Sequence, residues 1–164
     1  MVLPLASFTE VVLGIHVTAV VIAFGVTFAY PFFFIYGMRL DPRHMGWLHR
    51  VEERIGKALI APGLAVVLLA GIYLASKEHQ WSHFYVQWGL GAALVLGALG
   101  GAFFAPNERR AAELAERDIA ASAGSKEVAF SPEYLAVYRR ISIVGMLSSL
   151  LIVVTVLLMA LHAG

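Results

Sequence analysis

Four long apolar segments, separated by polar and charged connections, dominate the pattern of this 164-residue chain. They cover about residues 11–36, 58–76, 86–105 and 141–162, close to the roughly 20 residues that cross a hydrocarbon layer. Every backbone amide in lipid must be paired within its own segment, so each run is predicted to be a helix. We therefore predict an all-α integral membrane protein, a single antiparallel four-helix bundle over residues 1–164.

Proline residues mark two expected helix starts and one uncertain boundary. Asp41-Pro42 and Ser131-Pro132 each combine a capping side chain with proline at the first helical position. Helices 2 and 4 are therefore predicted to begin well before their apolar segments. Helix 3 is expected either to continue past Pro106 or to restart there.

Proline also lies inside the first two apolar segments, at Pro31 and Pro62. Because proline lacks a backbone N–H, we expect each to kink its helix or to free a carbonyl group.

The basic residues lie almost entirely in two of the three connections. Eleven of the twelve Lys and Arg side chains belong to the first or third connection: Arg39, Arg43, Arg50, Arg54, Lys57, Arg109, Arg110, Arg117, Lys126, Arg139 and Arg140. Cytoplasmic loops carry such an excess, so both connections are predicted to be cytoplasmic and both chain termini non-cytoplasmic.

Composition supports a lipid environment and narrows the chemistry. Charged residues make up 14% of the chain, whereas soluble domains carry about a quarter. The absence of cysteine excludes disulfides, thiolate catalysis and cysteine-ligated metals. We find no catalytic motif, and the near balance of acidic and basic residues gives no sign of nucleic-acid binding. The lipid bilayer is the predicted partner.

Small residues recur every four positions along helix 3, at Gly89, Ala93, Gly97 and Gly101. Such a stripe lets another helix approach closely. It is expected either to pack within the bundle or to bind a second copy or a membrane-complex partner, which is the basis of a scaffold hypothesis.

His16 is the one strongly polar residue in the first apolar segment. Ionisable groups are expensive in a membrane and are often functional. Three interpretations stay open: a packing hydrogen bond to a neighbouring helix, an axial haem ligand, or a metal-binding or proton-relay group.

Three further histidines, His79, His83 and His162, are predicted at the outer end of the bundle. His79 and His83 could chelate copper or zinc if their loop is helical. The alternative is that they belong to an interfacial aromatic belt. His44 and His49, among charged residues in the first connection, are expected at the surface.

Three short stretches carry a family resemblance that extends over nearly the whole chain. They are Gly14-Ile15-His16-Val17, residues 62–71 (PGLAVVLLAG) and residues 131–140 (SPEYLAVYRR). Together they resemble a family of small bacterial integral membrane proteins of unknown function, predicted to have four helices. The resemblance implies a location in the bacterial inner (plasma) membrane.

More distantly, His16 and the proline-bearing helix 2 resemble the four-helix protoporphyrinogen oxidase and copper-resistance D families. The oxidase resemblance implies haem b, with His16 as a ligand. The oxidase family also has a lysine near the start of helix 3, where this chain reads Val86-Gln87-Trp88. The resemblance therefore implies haem binding or a redox association, but not the oxidase reaction.

Overall fold

The computed structural model describes residues 7–162, and its four long helices correspond to the four apolar segments. The helices are α1 (Phe8–Leu40), α2 (Pro42–Lys77), α3 (Phe84–Ala121) and α4 (Pro132–His162). Each contains a stretch long and apolar enough to cross a membrane, and no strand occurs in residues 7–162. These findings confirm the prediction of an all-α structure over the described residues, with four helices long and apolar enough to span a membrane. The outermost residues at both chain ends lie outside the described range, and the sidedness of the ends stays a prediction.

Successive helices run antiparallel, because contacts that come later in one helix come earlier in the next. Two contacts show this for each pair of helices. They are His16–Val67 and Ala23–Gly63 between α1 and α2, His49–Glu108 and Leu64–Gly97 between α2 and α3, and Trp88–Thr155 and Arg110–Glu133 between α3 and α4. Phe34 of α1 also lies beside Tyr138 of α4, with ring centroids 6.0 Å apart. The first and last helices are therefore neighbours as well.

The two predicted helix starts are confirmed. The Asp41 carboxylate accepts a hydrogen bond from the backbone N–H of Arg43, and α2 begins at Pro42 with one 3₁₀ turn. The Ser131 hydroxyl accepts from the N–H of Tyr134 at the start of α4. These caps satisfy N–H groups that have no partner within the helix.

Proline residues inside the helices are preceded by irregular turns rather than by breaks. π-helical segments at Gly56–Ile60 and Leu99–Phe104 precede Pro62 and Pro106. Because proline cannot donate to the carbonyl four residues earlier, the helix widens locally and continues. Of the two expectations for α3, continuation past Pro106 is therefore the correct one.

The apolar half of the bundle packs through small residues. A buried cluster joins all four helices through Ala23, Phe24, Leu64, Ala93 and Ile152. The stripe on α3 contributes to the same packing: Gly89 faces Met159 of α4, and Gly97 faces Leu64 of α2. Packing within the bundle was one of the two expectations for this stripe. Gly101 does not take part, because no atom lies within 4 Å of the position that a Cβ would occupy there.

The polar half has a second core, built as in a soluble helical domain. Its fully or largely buried members are Phe34, Met45, Ala111, Leu114, Ala115, Tyr134, Val137 and Ile141. Alanine is frequent here because α2 and α3 approach each other closely. The candidate site described below lies within this core.

We predict that Gly63→Ala destabilises the bundle, whereas Gly14→Ala leaves its stability almost unchanged. A methyl group at Gly63 would lie 2.7 Å from the Cβ of Ala23 and 3.4 Å from its Cα, so the two helices must separate. Nothing lies within 4 Å of the corresponding position at Gly14. Overpacking of this kind costs about 1–3 kcal/mol. Thermal unfolding of the two variants in detergent measures the difference; equal midpoints would contradict the packing of α1 on α2.

Candidate functional site

A hydrogen-bonded network of three buried side chains links the polar ends of α2, α3 and α4. His49 Nδ1 of α2 lies 2.6 Å from Glu108 Oε2 of α3, and His49 Nε2 lies 3.1 Å from the Tyr134 hydroxyl of α4. The side chains of His49 and Glu108 are 0% and 1% exposed. Polar side chains are rarely buried to this degree unless they are hydrogen-bonded, and here His49 Nδ1 and Glu108 Oε2 are paired.

Aromatic rings enclose the histidine on several sides. The His49 ring lies 4.7 Å from the ring of Phe34, 5.8 Å from Tyr134 and 6.4 Å from Tyr138, measured between centroids. The two tyrosine rings meet it edge to face. Because these rings exclude water, the environment of His49 has a low dielectric constant, which strengthens its hydrogen bonds.

Three oxygen atoms in this region are buried and have no hydrogen-bond partner among the described residues. They are Glu108 Oε1, Glu52 Oε2 and the Tyr30 hydroxyl. Buried carboxylate oxygens without donors are costly, and a proton on the carboxyl group is one way to reduce that cost. At Glu52 and Glu108, the protonated carboxyl group is therefore less costly to bury than the carboxylate.

Electrostatics favours the uncharged form of each of the three groups. His49, Glu52 and Glu108 lie in the polar ends of their helices, outside the apolar segments. Burial lowers the pKa of His49, and burial raises the pKa of both Glu52 and Glu108 above the ordinary value of 4.5. The charge of Glu108 raises the pKa of Glu52 further, and the charge of Glu53 does the same for Glu108.

Ion pairs surround the buried network at the protein surface. Four ion pairs of this layer join different helices: Arg50 with Glu116, Arg109 with Glu53, and Arg110 and Arg117 with Glu133. Arg117 also pairs with its neighbour Asp118 within α3. Exposed pairs of this kind add little stability individually. These ion pairs lie between the core and the solvent, and the His49 and Glu108 side chains beneath them are shielded from water.

The expectation that His49 lies at the surface is wrong, whereas His44 is exposed as expected. Arg50 and Glu53 form ion pairs outside the core, whereas His49 points into it. The usable signal was the helical spacing of Met45, His49 and Glu52, which places them on one face. Its partner Glu108 is 59 residues away.

His16 forms a hydrogen bond between two membrane-spanning helices. Its Nδ1 lies 3.0 Å from the carbonyl oxygen of Val67 in α2, and the ring also packs against Gly71. This is the contact that the packing interpretation predicts. An open groove of about 570 Å³ lies between the same two helices, but His16 does not line it. These contacts give no support to a haem site at His16, and haem binding stays a prediction from the sequence.

His79, His83 and His162 are the three histidines that the sequence predicts at the outer end of the bundle. His79 and His83 lie in the loop between α2 and α3, and His162 is the last residue of α4. The loop of His79 and His83 is a series of turns rather than a helix, and His79 adopts the left-handed conformation, with φ of 54°. The ring of Tyr85 neighbours both His83, at 5.6 Å, and His162, at 5.2 Å. Within residues 7–162, no three histidine or acidic side chains are grouped so that they could hold a metal ion. Copper or zinc handling by these residues therefore stays a prediction.

Comparison with known proteins adds no family assignment. No family model, curated protein or solved structure matches the chain. The site must therefore be interpreted from its own geometry.

We predict that His49→Ala destabilises the protein by about 3 kcal/mol, because it leaves the buried Glu108 carboxyl without its partner. His44→Ala is the matched control, since the His44 side chain is 66% exposed. We expect the control to change stability by less than about 0.5 kcal/mol. Chemical unfolding of both variants in detergent measures these values, and similar losses in the two would contradict the buried network.

Proposed function

We propose that this protein is a multi-pass protein of the bacterial plasma membrane that responds to pH through a proton-binding centre, the His49–Glu108–Tyr134 network. The observation that carries the proposal is the 2.6 Å contact between two buried titratable side chains on different helices. A contact of this kind depends on the number of protons that it holds.

The proposed centre lies at the end of the bundle that carries eleven of the twelve basic side chains. By the positive-inside rule this end faces the cytoplasm, and both chain termini then lie outside. The centre would therefore sample cytoplasmic pH. No charged residue occurs within the apolar segments, so the sequence supplies no titratable path across the membrane. A pH response thus fits the residues better than proton transport does.

Two protonation states, which differ by one proton, satisfy the whole chain of hydrogen bonds. In the first, the Glu108 carboxyl group donates to His49 Nδ1, and His49 Nε2–H donates to the Tyr134 oxygen. In the second, which has one proton fewer, Glu108 is a carboxylate, His49 Nδ1–H donates to it, and His49 Nε2 accepts from the Tyr134 hydroxyl. Loss of the proton therefore reverses both hydrogen bonds and leaves a negative charge on a buried carboxyl group. Because a buried charge is costly, the folded state that joins the three helices is then less stable.

Other titratable groups surround the centre, and those that carry negative charge oppose its ionisation. Tyr30 approaches from α1, Glu52 and Glu53 lie on α2, and Tyr134 and Tyr138 lie on α4. The nearby negative charges of the carboxylates oppose further ionisation. We therefore expect the folded protein to retain protons that the unfolded chain would release.

The sign of the pH effect follows from these pKa directions. The folded-state pKa of Glu108 is raised, so its contribution is fully present below the ordinary value of 4.5 and is lost as pH rises through the raised value. Glu52 behaves in the same way. The pKa of His49 is lowered, so its contribution to stability increases with pH, but only at pH values near and below the ordinary histidine pKa of 6.5. From about pH 6.5 upward, stability is therefore expected to fall.

The test is the pH dependence of stability in wild type and Glu108→Gln between about pH 6.5 and 8.5. Glutamine keeps a donor for His49 but cannot ionise, so this variant should reduce the loss by up to about 1.4 kcal/mol per pH unit. Glu116→Gln is the matched control on the same helix. Arg50 lowers the pKa of Glu116, so its contribution changes only below pH 4.5.

Hydrogen exchange separates a local response from global unfolding. Between pH 6.5 and 8.5, exchange corrected for its intrinsic pH dependence should increase in residues 45–55 and 105–121 of wild type. It should change less in Glu108→Gln and remain as in wild type in Glu116→Gln. Identical pH profiles for all three proteins would refute the proposal.

A further inference from the structure

On the side away from the bundle, α4 carries a shallow, open hollow between its own side chains, which the proton-binding centre does not use. It has a volume of about 370 Å³ and is lined by Ala136, Arg139, Arg140, Ile143 and Val144. The inward-facing residues of the same stretch are Tyr134, Val137 and Ile141, which are buried in the core. The hollow therefore faces away from the bundle, at the boundary where the apolar segment of α4 begins.

Arg139 and Arg140 are adjacent in the sequence, and neither forms an ion pair with any residue in the range 7–162. Arg50, Arg109, Arg110 and Arg117 each pair with a carboxylate. Arg39, Arg43 and Arg54 form no ion pair either, but no two of them are adjacent. Arg139 and Arg140 are both exposed. Two adjacent guanidinium groups without anionic partners favour binding of a phosphate group, which guanidinium can contact in a bidentate manner.

An apolar surface continues from the hollow toward the middle of the membrane. Ile143, Leu147 and Leu150 follow at helical spacing from the arginines, and all three are exposed. A ligand that fits this surface has a phosphate at one end and a hydrocarbon chain at the other. The position of the arginines, directly before the apolar segment, is the depth at which lipid headgroups lie.

We infer that the hollow on α4 is a binding site for an anionic phospholipid, with its phosphate at Arg139 and Arg140 and one acyl chain along Ile143, Leu147 and Leu150. This inference is independent of the proton-binding centre and adds a ligand class to the membrane protein. A free phosphate would use the arginines but would gain nothing from the apolar surface. The lipid is therefore the occupant that accounts for both observations.

The test compares binding of phosphatidylglycerol and phosphatidylcholine to the detergent-solubilised full chain by native mass spectrometry. Wild type should bind phosphatidylglycerol in preference to phosphatidylcholine. Arg139→Gln/Arg140→Gln should weaken phosphatidylglycerol binding about thirtyfold, at about fivefold for each basic residue near an anionic membrane surface. Ala136→Trp keeps the charge but fills the hollow, and it should also lose the preference.

Arg39→Gln/Arg54→Gln is the matched control, because it removes the same charge from exposed positions at the same end of the bundle. It should retain most of the binding. Equal losses in the two double variants would show a diffuse surface charge effect and would overturn the site. Competition by inorganic phosphate as effective as that by the lipid would also overturn it, because the apolar surface would then have no role.

Discussion

The contact between His49 and Glu108 constrains the polar end of the bundle because neither side chain can be buried without the other. Each is removed from water, and each would leave an unsatisfied polar group if its partner moved. Tyr134 extends the same constraint to α4. The positions of three helices therefore depend on one set of hydrogen bonds. Surface ion pairs surround these bonds but, being exposed, cannot replace them.

The two halves of the molecule follow different physical rules. In the apolar half, association has little hydrophobic driving force, so close approach of small residues and dispersion stabilise the contacts. Ala23 against Gly63 is an example. In the polar half, solvent is available and a buried apolar core contributes in the usual way. The buried network lies in this second half, inside the layer of surface ion pairs.

The helices were predictable from the sequence because their signals are local. The four apolar runs, the caps at Asp41 and Ser131, and the small residues on α3 are each contained within a single helix or at its start. The π-helical segments before Pro62 and Pro106 were missed, since the sequence shows that a proline is present but not how the helix absorbs it. The burial of His49 was missed for another reason. Its neighbours in sequence are charged, and its partners lie 59 and 85 residues away. Only the three-dimensional pairing of helices reveals such a site.

The proposed proton-binding centre and the proposed lipid site use opposite faces of the same part of α4. Tyr134 and Val137 face the core, and Ala136 and Arg140 lie on the side away from it. Inward contacts fix the rotation of this segment, so they also set the direction in which the arginines point. A change in the protonation of His49 and Glu108 reverses the direction of the hydrogen bond to Tyr134, so it acts on the inner side of this segment. Linkage then requires reciprocity: an anionic lipid that binds better to the protonated form must also favour proton uptake at the buried pair.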